Sequence, residues 1–282
     1  NVFKQLIVTV IGAECDPILR ETDTTFMSSV CEHMAMLFVS KATNTEQSKT
    51  PSEATDSVDR PRATNLKVLD TTLFLDALME AFESGTQATM KATLEAIGTF
   101  IDAVMILSHD ELDSLQSLED SLDQKSTPKK SKKKSDTPAM MDLDESSYPK
   151  LSTFVETVLP RLAHCCYNQH ALCIAGGLSG LDRLSTSLPS IFMRRRASQF
   201  LSAITRAIAL LPDHAITQKK EAEAILLRIV EKCIPADTIV CGDDASTETK
   251  DAVQVLINEI RSVSSTCGSR AAVENALRGI CE

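Results

Sequence analysis

Tryptophan is absent from this 282-residue chain, tyrosine occurs twice and phenylalanine nine times, and glycine is as scarce at nine. A β-sandwich or barrel draws on aromatic and β-branched strands with glycine-rich turns, so the composition argues against both. A βαβ enzyme normally shows a glycine-rich phosphate loop followed by Lys-Ser/Thr, and no such run is present. The nine cysteines form no CxxC pair. They read as reduced, mostly buried small hydrophobes of a cytosolic or nuclear protein. No apolar run approaches the ~18 residues of a membrane span, and Leu6–Ile11 lacks the basic leader and cleavage site of a signal peptide. The chain opens at Asn1 and closes on a helical run, which reads as an excerpt of something longer. Basic charge is also in deficit. A net charge of −10 disfavours nonspecific nucleic-acid binding by the whole body, because phosphate contacts need a basic face.

What remains is rich in Leu and Ala, and its apolar residues recur at steps of three and four. Residues 1–42 read as a helix pair. The first helix is Val2–Ala13, broken at Asp16-Pro17. The second is capped by Asp23 and runs to about Lys41, with Phe26, Val30, Met34, Leu37 and Phe38 on one face. Residues 43–64 are Ser, Thr, Glu, Lys and Pro, and bury too little to offset their ordering entropy, so a disordered loop is expected. A second pair occupies 65–107. Asp70 caps Thr71–Phe82, whose face is Phe74, Leu75, Leu78 and Phe82. Gly85 closes that helix, and Thr86 opens another with Met90, Leu94, Ile97, Ile101 and Val104 in a stripe.

Residues 108–150 shift from acidic to lysine-rich and back to acidic, and read as a second disordered insertion; Leu112, Leu115, Leu118 and Leu122 could carry the preceding helix a short way into it. Residues 151–282 are helical throughout. The expected helices are Ser152–Cys166 with Pro160 inside it, Ala171–Ser187, Pro189–Leu211, Thr217–Lys232, Thr247–Ser264 and Ser269–Cys281. The pairs recur about every 40 residues once the loops are removed. The fold class is therefore all-α: a HEAT/armadillo-like α-solenoid of antiparallel helix pairs with two disordered insertions.

Candidate chemistry is sparse. His164, Cys165, Cys166, His170 and Cys173 cluster in sequence, but adjacent cysteines cannot easily face one ion and no metal-ligand spacing is present, so packing is the reading and no metal is assigned. No catalytic nucleophile–base pair and no cofactor loop is assigned either. Gly176-Gly177-Leu178-Ser179-Gly180 has no following Lys-Ser/Thr and no preceding strand, and reads as a close helix approach or a helix kink. Two charged runs are candidate contacts. Lys129, Lys130, Lys132, Lys133 and Lys134 form a solvated linker or a nuclear-localisation cluster, without aromatics for base stacking. Arg194, Arg195 and Arg196 form a solvated face or a docking patch for acidic segments.

The run Leu159-Pro160-Arg161-Leu162-Ala163-His164-Cys165-Cys166-Tyr167, then Gly176-Gly177-Leu178-Ser179-Gly180-Leu181, closely resembles the HEAT region of TRRAP-family proteins, the large pseudokinase scaffolds. Weaker likeness extends upstream through Asp70-Thr71-Thr72-Leu73-Phe74-Leu75-Asp76 and downstream through Ala209-Leu210-Leu211-Pro212. The resemblance implies a non-catalytic, nuclear interaction scaffold that links transcriptional activators to subunits of a histone acetyltransferase complex. It carries over no site residues. The alternative is the HEAT region of an active phosphoinositide-kinase-related kinase, or another HEAT adaptor.

Overall fold

A computed structural model of the chain describes residues 17–47, 71–84, 86–125 and 147–233, together with Gln5 and Thr9. Gln5 and Thr9 are helical, and the Thr9 hydroxyl donates to the Gln5 carbonyl at 2.7 Å. The rest of the expected first helix, residues 48–64 of the expected loop 43–64, residues 126–146 and the two helices expected beyond 246 lie outside the described residues, while 43–47, expected in that loop, are helical. Among the described residues there is no strand. The helices are α1 (Pro17–Gln47), α2 (Thr71–Ser84), α3 (Gln87–Leu107), α4 (His109–Lys125), α5 (Pro149–Cys166), α6 (Ala171–Ser187), α7 (Ser190–Arg195), α8 (Ala197–Leu210) and α9 (Ile216–Cys233).

Short connections join α2 to α3, α5 to α6 and α8 to α9, and the helices of each pair pack on one another, as antiparallel hairpins do. They stack in two rows. In one, α2 packs on α5 and α5 on α8; in the other, α1 packs on α3, α3 on α6 and α6 on α9. This is the two-layer arrangement of a HEAT α-solenoid, in which each hairpin covers the apolar face that its neighbour cannot bury alone.

Most of the described phenylalanines are buried in the stack. Phe38 (α1), Phe74 (α2), Phe100 (α3) and Phe154 (α5) form one cluster with ring centroids 5.8–6.2 Å apart, and all four are buried. Burying a phenylalanine contributes about 1.5–3 kcal/mol, and such edge and tilted pairs add about 0.5–1.5 kcal/mol each. Phe82, Phe192 and Phe200 extend the same core along the stack. Ion pairs join consecutive hairpins at the surface. Asp76 on α2 accepts from Arg161 Nε on α5 at 2.8 Å, Asp102 on α3 pairs with Arg183 on α6, and Asp182 on α6 takes Arg228 of α9 in two bonds of 2.7 and 3.1 Å.

Several sequence expectations hold. Thr86 is the N-cap of α3, accepting from the Thr89 N–H, and α6 has the expected bounds. Phe74, Leu75, Leu78 and Phe82 are all buried. Others need correction. Pro17 occupies the start of α1, so that helix begins earlier than expected and Asp23 lies inside it, not at its cap. Pro tolerates the first helical turn because its missing N–H would be unpaired there anyway. The buried face of α1 is Met27, Cys31, Met34, Ala35, Phe38 and Ala42, so Phe26 is exposed. Met34 and Phe38 of the expected face are buried and Val30 and Leu37 pack against the core, so the face differs chiefly at its N-terminal end, where Met27 and not Phe26 turns inward. The stretch expected as Pro189–Leu211 is two helices, α7 and α8, parted at Arg196 with φ −100° and ψ 7°. Residues 109–125, assigned to the disordered insertion, form α4, with Leu115 fully buried and Leu112 and Leu118 half-buried.

Candidate protein-docking surfaces

The residues with the most distinctive sequence, Leu159–Leu181, turn out to be a packing seam. Gly176, Gly177 and Gly180 line the face of α6 that meets α2 and α5. A Cβ built on Gly176 would lie 2.5 Å from the Phe82 ring, and one on Gly180 2.5 Å from Leu162 Cδ2. On Gly177 it would lie 2.9 Å from both the Leu162 carbonyl oxygen and Cys165 Cβ. The last is the least forgiving, since backbone cannot step aside. Close approach is therefore what these glycines do.

The five neighbouring His and Cys residues part company here. Cys165, Cys166 and Cys173 are buried, whereas His164 and His170 point to solvent. Cys165 Sγ lies 3.5 Å from Met79 Sδ, and its pKa is held up by its hydrogen bond to Cys173 and by burial. Burial likewise raises Cys166, and Cys31, deep under α3, is pushed up to about 12. Thiols held in the protonated form in an apolar setting are poor nucleophiles and poor ligands. Among the described residues no group of three or more His, Cys, Asp or Glu is arranged to hold a metal ion.

The surface is more informative than the interior. A groove of about 620 Å³ runs over the outward face of α3, between α1 and α6. Lys91, Glu95, Thr99 and Asp102 supply its polar lining from one helix face, while Met27, Leu94 and Ala96 form apolar floor and Arg183 closes one wall. Gly98 opens onto it, with nothing nearer to a built Cβ than Arg183 Nε at 3.9 Å. The groove meets the apolar stripe of α3 at Leu94 and takes its polar lining from the face beside it. Its signal was there in the recurrence of Lys91, Glu95, Thr99 and Asp102 every three or four residues.

The two charged candidates fare differently. Lys129, Lys130, Lys132, Lys133 and Lys134 lie outside the described residues. Arg194, Arg195 and Arg196 are described and all three are half-buried at the α7–α8 junction. Arg196 reaches back to Glu156 on α5 at 3.3 Å, its side chain only 17% exposed. The Nε atoms of Arg194 and Arg196 are buried without a hydrogen bond. The run thus lies partly inside the stack and does not form a fully solvated face.

The family model described as the Tra1 HEAT repeat ring region matches residues 1–282, the whole chain. The chain belongs to that family. No curated protein and no solved structure matches it. The resemblance read from Leu159–Leu181 and the family match agree that this is a Tra1/TRRAP-type HEAT region. A Tra1 HEAT ring region is non-catalytic in itself, and HEAT regions generally act by protein–protein contact, which an open groove between helices suits. No helix among the described residues is long and apolar enough to cross a membrane.

Proposed function

We propose that this chain is a scaffold segment of a TRRAP-like coactivator subunit, a nuclear protein that links transcriptional activators to a histone acetyltransferase complex. The observation that carries the reading is the match to the Tra1 ring region along all of 1–282. The mechanism is presentation of surface. Hairpins locked by the phenylalanine cluster and the glycine seam hold a rigid two-layer ridge, and partners meet its outer helices. The whole protein works without phosphotransfer, and no cofactor takes part. Lys129, Lys130, Lys132, Lys133 and Lys134 serve nuclear import. Arg194, Arg195 and Arg196 form a docking patch for acidic segments, narrowed by the engagement of Arg196 with Glu156.

The test is affinity purification of the full-length parent protein followed by mass spectrometry. Recovery of acetyltransferase subunits at near-stoichiometric levels is expected. Their consistent absence beside an intact, ATP-consuming kinase activity would overturn the reading. Replacing the five lysines by glutamine should shift a fluorescent fusion from nucleus to cytoplasm; unchanged nuclear accumulation would remove the import role.

A further inference from the structure

The N-terminus of α5 carries an unusual cap. Its N-cap residue, Tyr148, makes no side-chain capping bond, and Pro149 stands at the first helical position. The next two N–H groups would be orphaned, as they are at any helix start. They are taken up from far away in the chain: Glu111 Oε1 accepts from the Lys150 N–H at 3.1 Å, and Oε2 from the Leu151 N–H at 3.0 Å. One residue earlier, both Asp110 carboxylate oxygens accept from Lys150 Nζ at 2.8 Å. The acidic first turn of α4 therefore grips the first turn of α5.

Beyond that grip α4 is lightly held. Its packing is mainly on α3, and Leu115 is its one fully buried apolar side chain among the described residues. It joins α3 through Ser108 alone, whose hydroxyl is buried without a partner. Burying the Glu111 carboxyl is itself unfavourable enough to raise its pKa, despite the two N–H groups it accepts from. One fully buried and two half-buried leucines among the described side chains, a single-residue hinge and a polar anchorage are the marks of an element that opens below the global unfolding free energy.

We propose that α4 is a latch that opens independently of the two-layer solenoid, with Glu111 as its catch on α5. Opening frees the N–H groups of Lys150 and Leu151 and turns Leu112, Leu115 and Leu118, flanked by Asp110, Glu111 and Asp113, into an accessible amphipathic helix. The latch is a conformational device of the fold and is independent of which complex the protein serves.

Hydrogen–deuterium exchange by mass spectrometry on the full-length protein tests it. The amides of 109–125, with those of Lys150 and Leu151, should exchange together and at least about tenfold faster than the interior of α3, α5 and α6. Glu111→Ala should speed α4 by about a further tenfold and leave α6 unchanged. Lys150→Gln, which removes only the ion pair, should speed it less. Exchange of α4 at the rate of the α3 interior would sink the proposal. So would an equal acceleration of α3, α5 and α6 in Glu111→Ala, or failure of that variant to fold, since either would make α4 part of the global unit.

Discussion

The α5–α6 hairpin and α4 are fixed to the same stack by opposite means. The hairpin is held by shape: three glycines bring α6 onto α5 and α2, and four phenylalanines from α1, α2, α3 and α5 close over the same centre. α4 is held by charge, through Asp110 and Glu111 on the first turn of α5. Shape complementarity is intolerant of any change in volume, because interiors are packed to crystal-like density. A charged grip is tolerant of volume and sensitive to pH, salt and the loss of one partner. The two regions should therefore fail under different insults.

The largest effect is expected at the aromatic centre. Phe100→Ala should cost about 3–5 kcal/mol, read as a fall in the denaturation midpoint followed by helical circular dichroism, because Phe100 touches Phe38, Phe74 and Phe154 at once. Gly177→Val comes next, at about 3 kcal/mol, since its side chain meets α5 backbone. Gly180→Ala should cost less, as Leu162 Cδ2 is the end of a side chain that can turn away. If Gly177→Val were harmless, the seam would be looser than the structure shows and the comparison would collapse.

Glu111→Ala should cost about 1–2 kcal/mol in α4 docking, the usual effect of losing a cap, with little change in the stack itself. Smallest are the surface pairs. Asp182→Asn should remove at most about 1 kcal/mol despite its two bonds to Arg228, and the loss should shrink in high salt.

The two acids of the latch sharpen the contrast through pH. Burial raises Glu111, so its docked form holds its proton more tightly than its free form does; the proton-linked part of its contribution is fully present below the ordinary carboxylate range and is lost as pH rises through the raised value, leaving the two N–H bonds to the carboxylate. The hydrogen bond from Lys150 lowers Asp110, so its contribution is present above the ordinary range and is lost as pH falls through the lowered value. Exposure of the Asp110 carboxylate keeps its share small. Comparing the wild type with Glu111→Gln and Asp110→Asn across the acid range should give α4 exchange differences that change with pH in opposite directions. Parallel changes would show that the two carboxylates do not act separately.

Periodicity made most of the stack readable in advance. α2, α3, α6 and α9 were placed within a few residues because their apolar faces recur at helical spacing and their ends carry Thr86, Pro212 or short polar turns. What escaped was set by distant parts of the chain. The acids of α4 outweigh its leucines, so composition alone read disorder. Ser108 and Glu111 are spaced like a local capping box, yet Glu111 spends its oxygens on α5, a contact between residues 40 apart. Whether Phe26 or Met27 turns inward depends on what packs against α1, and no window confined to α1 contains that information. The groove over α3 was written in the polar half of the helix, which a search for core residues discards.

The ion pairs between hairpins carry one further consequence. In Asp76–Arg161, Asp102–Arg183 and Asp182–Arg228 the acid always belongs to the earlier helix and the arginine to the later one. The middle hairpin, α5–α6, thus shows a positive charge to its predecessor and a negative one to its successor. A hairpin inserted backwards would set like against like on both sides. The stack has a heading, and each such pair favours, by at most about 1 kcal/mol, a neighbour that faces the same way.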